Sequence, residues 1–128
     1  MPGNYRNVIR IVPVNAVEEI KDSQVILKSG YMADLVRCNH APLPSEEGGN
    51  SAAGAYTIFS LHVRTEALPS DLKEKYGTQC EVILMLYEEG SKEPFIVGNL
   101  QNSVTMIRVP EEEGELLSFT RSSFIPVL

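Results

Sequence analysis

Short apolar, β-branched runs recur along this chain at spacings of roughly 8–12 residues, separated by Gly, Pro, Asn and acidic turn formers, and this rhythm most limits what it can fold into. The runs lie at 8–14 (VIRIVPV), 24–28 (QVILK), 55–65 (AYTIFSLHVRT), 80–87 (CEVILMLY), 94–99 (PFIVGN), 104–109 (VTMIRV) and 116–120 (LLSFT). Weaker candidates lie at 31–38 (YMADLVRC) and 124–128 (FIPVL). That predicts roughly seven to nine strands in an antiparallel β-sandwich or partly open barrel. Helices do not alternate with the runs, so a parallel α/β sheet is not expected.

Individual runs carry further detail. Phe59, Leu61 and Val63 alternate with Ser60, His62 and Arg64, so one face of that strand is buried and the other wet. The run 80–87 is almost continuously apolar, which predicts a central strand covered on both faces. Pro13 lacks an N–H and belongs at a sheet edge or strand end. Gly98 suggests a bulge or bend, and the apolar phase shifts between Met106 and Ile107, again as at a bulge. One short helix is expected over 69–77 (PSDLKEKYG), with Ser70 as N-cap, Gly77 at its end, and Leu72 and Tyr76 on the packed face. The segment 17–22 reads as one helical turn or a loop. The stretch 39–54 (NHAPLPSEEGGNSAAG) is dense in Pro and Gly, so it reads as a long mobile loop that orders only against a partner, or else as a purely disordered connection.

At 128 residues the chain fits one domain, 1–128, able to bury a core without metal or disulfide staples. Its net charge is −6 and its Lys and Arg are scattered, which argues against nucleic acid and against an anionic membrane surface as partners. No apolar run approaches the roughly 20 residues of a membrane span. The polar start MPGNYRN lacks the form of a signal peptide, so a cytoplasmic protein is expected. Two cysteines do not make a disulfide framework; both are expected reduced, with Cys80 in the core.

Several groups could carry chemistry. Cys38, His40, His62 and Cys80 supply the ligand types of a tetrahedral zinc site, but their spacing fits none of the usual patterns. Cys38 and His40, two apart on an extended segment, point the same way, as a thiol nucleophile and its base would. Acidic clusters at Glu18/Glu19, Glu46/Glu47, Glu88/Glu89 and Glu111/Glu112/Glu113 fall in turns and loops and read as solvated. Gly48-Gly49 lacks the rest of a phosphate-binding loop. No catalytic, cofactor-binding or metal residue is therefore assigned, and no cofactor is expected. An apolar cavity lined by Phe59, Leu61, Leu84 and Phe95 is the alternative, as the site of a small-ligand-binding barrel.

From Cys80 onward the order is an apolar strand, an acidic turn, PFIVGN, a strand, an acidic turn and LLSFTRSSFIPV. With IRIVPVNAVEEI near the start, this resembles the small β-rich tail and neck proteins of tailed phages and prophages, the head–tail joining and tail-terminator group. The resemblance implies a non-enzymatic structural protein, virion-associated, that assembles with copies of itself and with other assembly proteins. It implies no catalytic residue.

Overall fold

The computed structural model describes residues 4–126, and strands account for 62 % of these residues. Among the described residues ten strands form: β1 (Tyr5–Pro13), β2 (Val17–Lys21), β3 (Gln24–Leu27), β4 (Asp34–Arg37), β5 (Ser45–Ser51), β6 (Gly54–Thr65), β7 (Gln79–Glu88), β8 (Phe95–Val97), β9 (Val104–Glu111) and β10 (Gly114–Pro126). One helix, α1 (Ser70–Tyr76), links β6 to β7. The main sheet runs β4-β1-β7-β9-β10-β6-β5, with β8 also on β7, and every pairing is antiparallel. It curls into a half-barrel. Beyond β4 the chain swings across to β6: Cys38 bridges Thr65, and the Asn39 N–H donates to the Arg64 carbonyl at 2.8 Å. That contact draws two distant strands of the sheet together at one end.

β7 is the centre of the molecule. Val82, Leu84 and Leu86 face the barrel interior, beside Ile9, Leu61, Met106, Leu117 and Phe119. Ile83, Met85 and Tyr87 face outward, where the β2–β3 ribbon covers them with Val17, Ile20, Val25 and Leu27. Both faces being packed is why this run is unbroken by polar residues except at Glu81. Each large side chain fully buried here contributes on the order of 1.5–3 kcal/mol. β6 keeps the expected alternation, with Leu61 and Val63 buried and His62 and Arg64 exposed.

Four local expectations need correction. The segment from Val17 is a strand, because it pairs with β3 around a tight turn in which Asp22 and Ser23 both take positive φ. Pro69, not Ser70, is the helix N-cap, with no side-chain capping bond; Tyr76 packs into the core as expected, with Leu72 against it. β9 and β10 pair in continuous register through Met106 and Ile107, so no bulge lies there; the phase shift arises because Ile107 and Val109 stay exposed on the outer face. The stretch 39–54 is not a continuous loop, since Ser45–Ser51 is a strand in full register with β6. The 124–128 strand is the continuation of β10 as far as Pro126; its last two residues lie outside the described residues.

Candidate functional site

Beyond the barrel wall, three strands project as a flap: β5, residues 54–60 of β6 and residues 121–126 of β10. The pairing of β9 with β10 stops at Thr105 opposite Thr120, so from Arg121 onward β10 has no strand on that side. β5 ends the sheet and has no strand on its outer side. Both long edges of the flap therefore carry backbone donors and acceptors without a strand partner, a ready template for another chain. At the root, the Asn102 side-chain amide donates to the Ser122 carbonyl at 2.8 Å and Arg121 Nε donates to the Asn102 carbonyl at 2.9 Å.

Local chemistry explains why so polar a segment is extended. Ser51 closes the β5–β6 turn: its hydroxyl accepts from the Ala53 N–H and donates to the Gly54 carbonyl, both at 3.2 Å. Gly49 has no side chain, and the Tyr56 ring lies across it; a Cβ there would meet the ring at 2.7 Å. A bare strand backbone thus gains an aromatic cover. β5 itself, SEEGGNS, has weak strand propensity and depends on the ladder with β6.

Phe59 at the flap's root is buried in the core; beyond it the flap is wet on both faces yet partly apolar. On one face Tyr56 stands between Phe124 and Gly49, and Ile58 between Ser122 and Glu47. Phe124 is 55 % exposed and Ile125, on the opposite face, 72 %. Glu46 shares a row with Phe59 and Arg121 and lies close enough to the barrel mouth to act on Tyr5. Burial raises the Tyr5 phenol, with Glu88 and Glu46 adding to it, and among the described residues its buried hydroxyl has no hydrogen-bond partner.

The residues expected to carry chemistry are dispersed. Cys38 is buried at the barrel closure, and burial pushes its thiol up to about 11, the opposite direction from an activated nucleophile. His40 is exposed, with Nδ1 at 3.2 Å from the Ala41 carbonyl; His62 is exposed on the outer face, with Nδ1 at 2.9 Å from Ser118 Oγ. Cys80 is half-buried against the core rather than within it, and its thiol is also raised, mainly by burial. Both thiols are free. Among the described residues no three His, Cys, Asp or Glu side chains gather as a metal site. Phe59, Leu61 and Leu84 fill the interior as core, while Phe95 sits at the surface, so these four do not line one cavity. Among the described residues, no helix is long and apolar enough to cross a membrane.

In the sequence the flap is divided among three features, the 39–54 loop, the start of the 55–65 strand and a short strand at 124–128. The polar triplet Arg121-Ser122-Ser123 hides the continuity of β10, and the glycines of β5 hide its extension. The alternation of Tyr56 and Ile58 with Ala55 and Thr57 ahead of the buried half of β6 was the available signal. Comparisons with protein-family models, with curated proteins and with solved structures gave no match.

Proposed function

We propose that this chain is a non-enzymatic assembly protein that associates with copies of itself through the flap, as a component of a phage- or prophage-derived particle. The flap's two open edges are the observation that carries this reading. They lie on opposite sides of one three-stranded element and are of similar extent, Ser45–Ser51 against residues 121–126. Joining the outer edge of β5 in one copy to the distal edge of β10 in the next is a heterologous contact, which closes into a ring when the rotation allows. Tyr56, Ile58, Phe124 and Ile125 would then lose water on assembly, and three strands that lack a packed apolar face would become part of a larger sheet. The order and acidic turns of the C-terminal half, similar to tail and neck proteins, support the particle context.

Deleting residues 46–51 tests this. The expected protein keeps its β-rich circular dichroism and its unfolding midpoint but loses association. Unchanged association after the deletion rejects the flap as the joining element.

A further inference from the structure

A second surface complements the flap. On the outer face of the barrel, Arg6, Val8, Arg10, Leu35, Tyr87 and Lys92 line an open pocket of about 290 Å³. Two guanidinium groups converge on one aromatic ring: Arg6 and Arg10 lie 5.6 and 5.4 Å from the Tyr87 centroid. Both are held in place. Arg10 donates to the Tyr87 hydroxyl at 2.9 Å, and Arg6 donates to the Ser91 carbonyl at 3.0 Å. Among the described residues the ion pairs are Arg64–Glu111, Lys75–Asp34 and Arg108–Glu115, so none of the three cations at this pocket is neutralised by one. Gathering like charges that form no ion pair is unfavourable, and an anion entering the pocket relieves it.

The same chain carries a matching convex feature. β9 and β10 join through a two-residue turn, Glu112-Glu113, with Glu111 opposite Gly114. Arg64 engages Glu111 at 3.1 Å, while Glu112 and Glu113 are exposed and in no ion pair among the described residues. This tip borders a different cleft, with Asn39 and Arg64, and does not meet the basic pocket within one copy. We infer that the Glu112-Glu113 tip of one copy docks into the Arg6–Arg10–Lys92 pocket of a second copy. The two carboxylates would face the two guanidiniums, and Val8 and Leu35 would receive the side-chain stems of the glutamates. The contact is heterologous, as the flap joint is, so both can repeat along one assembly. This inference rests on the self-association reading.

Charge reversal tests it with the full chain, by light-scattering mass across a dilution series. R6E/R10E alone and E112R/E113R alone each juxtapose like charges, and each should raise the concentration needed for assembly by roughly tenfold or more. An equimolar mixture of the two should recover wild-type assembly, and so should the fourfold variant, since opposite charges then meet again. That recovery also shows the reversed chains are folded. Wild-type assembly by both reversed proteins overturns the tip-to-pocket contact and leaves the flap joint standing. So does weakened assembly of R6E/R10E while E112R/E113R assembles as wild type, which would identify a different anion as the occupant, and so does failure of both the mixture and the fourfold variant to recover. A wild-type chain that stays monomeric at every concentration overturns both readings.

Discussion

Glu115 is only 2 % exposed, and its carboxylate meets two partners: the Leu68 N–H at 2.8 Å and the Arg108 guanidinium at 2.5 Å. Arg108 in turn donates from Nε to the Gly77 carbonyl at 2.9 Å. One buried pair thereby pins the segment entering α1 and the glycine leaving it to the β9–β10 hairpin. Removing one member leaves the other charge buried and unpaired, so Glu115→Ala should lower unfolding free energy by roughly 3–5 kcal/mol. Urea denaturation measures it, and a loss below about 1 kcal/mol would show the pair to be dispensable. In the sequence Glu115 is indistinguishable from the solvated run Glu111, Glu112 and Glu113 just before it; only the fold separates them. Cys38 gives a second prediction at this scale. Its folded thiol titrates near 11, above an unfolded thiol at roughly 8.5. Between those values the unfolded chain has released a proton that the folded chain still holds. Stability is therefore fully present below about pH 8.5 and declines as pH rises toward 11. Cys38→Ala should flatten that alkaline decline in a pH series of urea midpoints.

At the scale of elements, two hairpin glycines separate barrel from flap. Gly54 and Gly114 both have φ of +150°, and each packs where a Cβ would strike backbone, the Ile125 carbonyl oxygen for Gly54 and that of Thr65 for Gly114. Gly114→Ala strains the barrel wall and should lower stability by roughly 2 kcal/mol or more. Gly54→Ala strains only the flap tip. It should weaken association while leaving the barrel's thermal unfolding midpoint nearly unchanged. Equal effects of the two on unfolding would show that flap and barrel are not separable. The same division governs what was legible in the sequence. β7 and the buried half of β6 declare themselves because a packed core imposes apolar periodicity. β5 and the distal half of β10 do not, since they are held by backbone pairing, which leaves little mark on residue type; β2 is short and shows only Val17 and Ile20 as packed apolar residues. β4 shows only weakly, for it contributes one fully buried side chain, Val36.

For the whole molecule, the curled sheet and its filled interior account for a stable barrel, to which the flap contributes Phe59 at its root. Beyond that root the flap exposes apolar side chains on both faces and two unpaired edges, a cost that a lone chain gains nothing from. The net charge of −6 opposes close approach of copies, which makes the un-neutralised Arg6, Arg10 and Lys92 the natural place for acidic turns to be accommodated. The fold class was readable from strand rhythm, whereas the projecting flap follows from where β9 stops against β10, a fact of register that no single strand encodes. The most direct measurement is the molar mass of the wild-type chain by light scattering across a dilution series. Self-association through the flap predicts one discrete multiple of the chain mass, constant over a concentration range and dissociating on dilution; a mass equal to a single chain at every concentration would contradict it.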